Sequence, residues 1–265
     1  MNLKSCCKTT AVVVRTYNNE LIRKQVRRFL DFGYEHIFVV VNVKEDRGST
    51  SSRGGYLREY WEDHRIIILE VYEGYSWSTA LNQALIPIQF IASAAKAQNQ
   101  PGIEFVFNCS VEALFEESHL SAMYSAIASS DIGVVGTTFD GRSQGNPVEL
   151  GASYGHGRNT GLLIKLSTIK EVGFFDSWCD QNHGQEDMDF ILRMHIVSNL
   201  RAVILDLKVP LLLKHYDPTV KQANEREALR RIVRRFRSYF PAGSELASRI
   251  ENAIDRYGIR SVLEE

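Results

Sequence analysis

An α/β fold, with a mainly parallel sheet flanked by helices and a helical C-terminal tail, is the class this sequence predicts, and three observations predict it. Short uninterrupted apolar runs rich in β-branched residues stand at 11–14 and 37–41, as strands buried on both faces require, and further strand-like stretches follow at 66–71 and 103–107. Helical stretches separate the first of these runs, so successive strands are joined by crossovers and lie parallel. Beyond residue 221 the pattern is helical only, in two helices broken at Pro241-Ala242-Gly243.

Each element follows in order. After the first strand a helix places Ile22, Val26, Phe29 and Leu30 on one face, with Gly33 as its stop. The strand at 37–41 leads into a polar loop, 44–55, and the third strand is 66–71. A helix over 77–97 carries Pro87, a candidate kink. The fourth strand, 103–107, ends in Asn108-Cys109-Ser110-Val111-Glu112. A helix at 118–129 and a strand at 132–137 come next, then a loop over 139–158 holding five glycines and an edge hairpin. The strand 160–164 precedes a helix over 166–172 that Gly173 closes. From Glu186 a helix aligns Met188, Ile191, Leu192 and His195, and late strands fall at 202–205 and 209–213. Ligands of open parallel sheets bind beyond the carboxyl ends of the strands. That rule selects the loops 15–19, 42–46 and 108–112 and the segment before Glu186.

Composition narrows the function. The chain has 265 residues, 44% of them hydrophobic, and 31 basic residues against 32 acidic ones give no global attraction to nucleic acid. No apolar run approaches the roughly 18–20 residues that span a bilayer. The first ten residues are polar, without a signal-peptide core. Cys6, Cys7, Cys109 and Cys179 make neither a disulfide framework nor a zinc spacing, so a reducing, cytoplasmic setting is the expectation. The expected organisation is a main domain over 1–220, with a nucleotide half to about 112 and an acceptor half after it, and a helical extension over 221–265.

The densest polar cluster is 176–189, with five carboxylates: Asp176, Asp180, Glu186, Asp187 and Asp189. Acids in a first turn complement the helix dipole, which is one reading. On the helix projection Glu186 points away from the apolar face while Asp187 sits on its rim, where a carboxylate beside a cleft serves as a general base.

Several segments carry a resemblance. Val12-Val13-Val14-Arg15-Thr16-Tyr17-Asn18, Asn159-Thr160-Gly161-Leu162-Leu163-Ile164, Glu171-Val172-Gly173-Phe174-Phe175-Asp176 and Gly184-Gln185-Glu186-Asp187-Met188-Asp189-Phe190-Ile191-Leu192-Arg193 resemble, in order and spacing, GT-A fold glycosyltransferases of the family-two type over about 10–217. The resemblance implies a Rossmann-like GT-A sheet and inverting transfer of a sugar from a nucleotide-sugar donor to an acceptor hydroxyl. It implies Asp187 as the base, with Glu186 beside it. Donor contacts would fall on Arg15, Thr16, Tyr17, Asn42, Asn82, Asn108 and Ser110. A divalent metal, Mn²⁺ or Mg²⁺, would fall to Ser110, Glu112 and His215. The acceptor would be a carbohydrate, a lipid-linked sugar or a protein.

The sequence also departs from that family. Its metal-binding Asp-x-Asp reads Asn108-Cys109-Ser110 here, and neutral oxygens hold Mg²⁺ or Mn²⁺ far more weakly than carboxylates. Its acidic residue after the second strand is replaced near Asn42-Val43-Lys44, and its Ala-Arg-Asn reads Ala80-Leu81-Asn82. A non-catalytic carbohydrate- or nucleotide-sugar-binding module on the same fold is therefore the alternative. A nucleotidyltransferase is a third reading, but Arg15-Thr16-Tyr17-Asn18 lacks the glycine-rich phosphate loop of that class.

Two further segments complete the reading. The stretch 145–159, with Glu149, Tyr154, His156 and Arg158, is either an acceptor-side lid or a solvated loop. In the tail, 221–240 holds seven basic residues against Glu225 and Glu227, and Leu229, Ile232, Val233, Phe236 and Phe240 share a face. Such a helix either lies on an anionic membrane or packs on the core with a solvated basic face.

Overall fold

The computed structural model describes residues 2–16, 21–43, 55–72, 77–139, 161–181, 186–212, 218–260 and Leu263. Along them run α1 (Leu3–Lys8), β1 (Thr10–Thr16), α2 (Leu21–Asp31), β2 (His36–Val43), a 3₁₀ turn (Gly55–Tyr60), β3 (Ile66–Tyr72), α3 (Trp77–Ala97) and β4 (Phe105–Ser110). Then follow α4 (Glu117–Ile127), β5 (Ile132–Phe139), β6 (Gly161–Lys165), α5 (Leu166–Val172), α6 (Ser177–Gln181), α7 (Glu186–Ser198), β7 (Arg201–Val209), α8 (Pro218–Tyr239) and α9 (Glu245–Arg256).

The strands form one sheet in the order β3-β2-β1-β4-β6-β5-β7, and β6 alone runs against its neighbours. Alternation along each strand feeds two cores. Ala11, Val13 and Val106 face the layer of α3, α7, α8 and α9, while Val12, Val14 and Phe107 face that of α1, α2 and α4. Burial on both faces is what the continuous β-branched runs predicted. Gly161, at the start of β6, lies opposite Cys109, and a Cβ there would run into the Phe115 ring. Only glycine lets β6 start where it does.

Several boundaries differ from the sequence reading, each for a physical reason. β4 does not stop at Phe107 but continues through Ser110. Pairing to β1 on one side and β6 on the other satisfies the backbone of Asn108 and Cys109, so polar side chains are carried into a central strand. The two late strands are one, Arg201–Val209, while Leu211 makes only an isolated bridge to Ala113. Lys208, at φ 51°, and Pro210, which has no N–H, end that strand. α3 runs through Pro87 as one helix of 21 residues. α1, unforeseen, is capped by Asn2, whose Oδ1 accepts from Lys4 N at 3.1 Å.

The tail helix starts at Pro218, since proline is suited to the first helical position. Leu229, Ile232 and Val233 of α8 and Ile250 and Ile254 of α9 are buried in the same core as Met188 and Ile191 of α7. The apolar stripe of α8 is thus spent inside the protein. Among the described residues, no helix is long and apolar enough to cross a membrane.

Candidate functional site

β1 and β4 are adjacent and parallel, so their carboxyl ends share one edge of the sheet. Register partners in a parallel pair project to the same face, and here Val13 pairs with Asn108 and Arg15 with Ser110. Arg15, Asn108 and Ser110 therefore stand together on the face that α3 and α7 cover. Arg15 is 6% exposed and Asn108 is fully buried. Asn108 is a residue of the sheet interior, not of a loop beyond it.

The turn after β4 is stitched on both sides. Ser110 Oγ accepts from Glu112 N at 3.3 Å. The buried Gln25 of α2 donates through Nε2 to Val111 O at 3.0 Å and Ala113 O at 2.7 Å. Leu212 N donates to Glu112 O at 2.9 Å. These bonds fix the backbone of Glu112 at the strand end. Sequence reasoning missed Gln25, although a polar residue between Ile22, Val26 and Phe29 on an apolar helix face was the available signal.

α7 reaches β7 through a two-residue turn, 199–200, and β7 runs parallel to β5 and hence to β1 and β4. The start of α7 therefore lies at the carboxyl-end side of the sheet. Glu186, Asp187 and Asp189 are 5%, 4% and 2% exposed. The expectation that Glu186 faces away from the core is corrected: α5, α6 and α9 pack against α7, and Glu186, Asp187, Met188 and Asp189 of its first turn are all buried. Asp187 Oδ1 accepts from Met188 N at 2.9 Å. Asp189 pairs with Arg193, whose Nε donates to Asp189 Oδ2 at 2.8 Å. Burial raises the Asp189 carboxyl above its ordinary range, and the Arg193 charge opposes that rise.

The segment that precedes α7 is held from three helices. Arg193 donates through Nη1 to Val172 O at 3.0 Å and through Nη2 to Phe174 O at 2.9 Å. Asn82 of α3 gives Nδ2–H to Phe175 O at 2.7 Å and accepts from Phe175 N at 3.1 Å. Asn82, expected at the donor, instead spends one amide hydrogen and its carbonyl as a strut. Arg235 of α8 donates to Asp176 Oδ2 at 2.6 Å and lies 4.8 Å over the Trp178 ring. Phe175 stacks on Phe190 with ring centroids 4.6 Å apart. Gly173, at φ 92°, takes the left-handed turn that ends α5.

Other sequence-predicted positions are reached only in part. Thr16 is the last residue of β1 and Asn42 the last but one of β2, at the same edge of the sheet. Tyr17, His215 and the stretch 145–159 lie outside the described residues.

The strand order and this placement of an acidic helix start invite comparison with known structures. Residues 1–349 of TarS from S. aureus, a GT-A-type glycosyltransferase, superpose with a TM-score of 0.55 at 16% identity, covering 93% of this chain and 71% of that one. The chain has the GT-A fold. GalNAc-T7 with UDP, GalNAc and Mn²⁺ gives 0.47 at 11% identity, over 97% of this chain and 56% of that one, a likeness too slight to bear on chemistry. No protein-family profile matches the chain, and a search of curated proteins finds no relative.

The GT-A resemblance implies a divalent cation at the end of β4, and the residues there do not fit one. Asn108 and Ser110 are neutral, which leaves Glu112 as the one carboxylate of residues 108–112. Cys109 is buried on the opposite face, and burial pushes its thiol up despite the nearby charges of Arg15 and Arg28, so it offers no thiolate. Among the described residues no three of His, Cys, Asp or Glu gather as a metal site.

Proposed function

We propose that this chain transfers a sugar from a nucleotide-activated donor to an acceptor hydroxyl, with inversion at the anomeric carbon. The observation that carries the reading is the buried Glu186-Asp187 pair at the start of α7, on the side of a GT-A sheet where β1 and β4 end. Asp187 takes the acceptor proton as the acceptor oxygen bonds to the anomeric carbon. The bond from that carbon to the diphosphate breaks on the opposite side, and its electron pair leaves with the phosphate oxygen. Attack from the far face inverts the centre. Burial of the base keeps water from competing with the acceptor and strengthens local electrostatics. The ties from Arg193, Asn82 and Arg235 hold the approach to α7 in one conformation, which is the positioning such a step needs.

A second reading, a binding module without turnover, is favoured by the neutral Asn108 and Ser110 where relatives of this fold carry acids. Two measurements separate the readings. A thermal-shift panel of nucleotide sugars finds the donor, since a ligand at ~100 times its Kd adds about 2.7 kcal/mol. Single-turnover transfer with that donor then compares Asp187→Asn with wild type. Loss of a general base lowers the rate by about 10²-fold or more while donor affinity stays. Glu186→Gln has the smaller, orienting effect. Near-wild-type rates in both variants remove the base from this helix, and donor binding with no turnover in wild type leaves the module.

A further inference from the structure

The misfit of the β4 end to a metal has a counterpart on the neighbouring strand. We propose that the Arg15 guanidinium supplies the positive charge that binds the donor's diphosphate, and that this chain needs no divalent cation to do so. The proposal rests on the transferase reading above and names the group that receives its leaving charge.

Arg15 is the last but one residue of β1, 6% exposed, and the register partner of Ser110 on the same face of the sheet. Adjacent strands lie about 4.8 Å apart, so a dication bound at Ser110 would be repelled by an arginine held on the neighbouring strand. Guanidinium stays protonated at any working pH, so that repulsion cannot be titrated away. The same feature that repels a cation suits a phosphate, because the planar fork donates two parallel N–H bonds to phosphate oxygens. Asn108 and Ser110, polar but uncharged, do not oppose an anion as two aspartates would. The charge of Arg15 is felt at the end of β4, where it acts on Cys109 together with Arg28. As the bond to the anomeric carbon breaks, the electron pair moves onto the diphosphate oxygen, and the new charge is met by N–H groups of Arg15, while the acceptor proton goes to Asp187.

Calorimetric titration of wild-type chain with uridine, guanosine, adenosine, cytidine and thymidine diphosphates, in excess EDTA and again in Mn²⁺, tests this. One diphosphate is expected to bind with affinities that agree within about threefold between the two conditions. Arg15→Gln weakens that binding by about tenfold or more in both, and Arg15→Lys falls between. Melting curves check that each variant folds. Should Arg15→Gln fail to fold, Mn²⁺ titration of the wild-type chain still decides, because tight stoichiometric binding overturns the proposal and its absence supports it. Diphosphate binding that requires Mn²⁺, or that survives Arg15→Gln unchanged, overturns the proposal and leaves the transferase reading standing. No binding of any diphosphate in either condition overturns both.

Discussion

His195 is buried near the end of α7, edge-on to the Tyr257 ring at 5.9 Å. Burial lowers its pKa below the ordinary 6.5, and the charges of Arg256 and Arg249 add to this, while a backbone hydrogen bond with Leu200 pulls the other way. A histidine lowered in the folded state binds its proton more readily when unfolded. Its contribution to stability is therefore full above pH 6.5 and is lost as pH falls through that value towards the folded pKa. The expected outcome is a melting temperature that drops more between neutral pH and pH ~5.5 in wild type than in His195→Gln. Equal drops in the two would show that this imidazole does not titrate against folding. The sequence placed His195 on the apolar face of its helix, and that much was legible. At the candidate site the acidic helix start was legible because its spacing is local. The partners of Gln25 and Arg235, and the ties of Arg193 to Val172 and Phe174, were not, because they lie far along the chain and no local pattern encodes them.

At the scale of elements, the stretch from Val172 to Trp178 is where α3, α7 and α8 meet, and its ties differ in strength for a reason of burial. The Asp189 side chain is 3% exposed and its Arg193 partner 21%, whereas Arg235 and Asp176 are 30% and 28% exposed. Removing one member of a buried pair strands the other, at about 3–5 kcal/mol. A solvated pair contributes about 1 kcal/mol or less. Urea unfolding is thus expected to show Arg193→Met as severely destabilised and Arg235→Met as mildly so. Adding Asp189→Asn to Arg193→Met should recover part of the loss, since a neutral amide needs no counter-charge. Comparable costs for the two arginine variants would mean that burial does not set the ranking. The elements themselves were readable wherever a strand is buried on both faces, as in β1 and β2. Their ends were less so. The polar Asn108 and Ser110 read as a loop, yet pairing on both sides of Asn108, and to β1 at Ser110, keeps them in β4, and what looked like two late strands is one, closed by Lys208 and Pro210.

The same logic applies to the whole molecule, where the helical tail reads in sequence as an extension beyond residue 220 but packs as part of one core. Leu229, Ile232, Val233 and Phe236 of α8 and Ile250 and Ile254 of α9 are buried against α7 and the sheet. Polar ties accompany them: Arg249 Nη1 donates to Ile196 O at 2.9 Å, and Tyr257 OH accepts from Ala202 N at 3.3 Å. Each large apolar side chain buried contributes about 1.5–3 kcal/mol, so these six together rival the entire net stability of a domain, about 5–15 kcal/mol. Deleting the tail would also uncover the apolar surfaces of α7 that α9 now shields. A chain ending at residue 217 is therefore expected to lose cooperative unfolding and to aggregate, and not to survive as a minimal GT-A domain. Calorimetry and size-exclusion chromatography of that truncation decide the matter. A monomer with a sharp melting transition within a few degrees of the full chain would mean that α8 and α9 dock on a domain already complete, and the tail would then be free to serve a partner of its own.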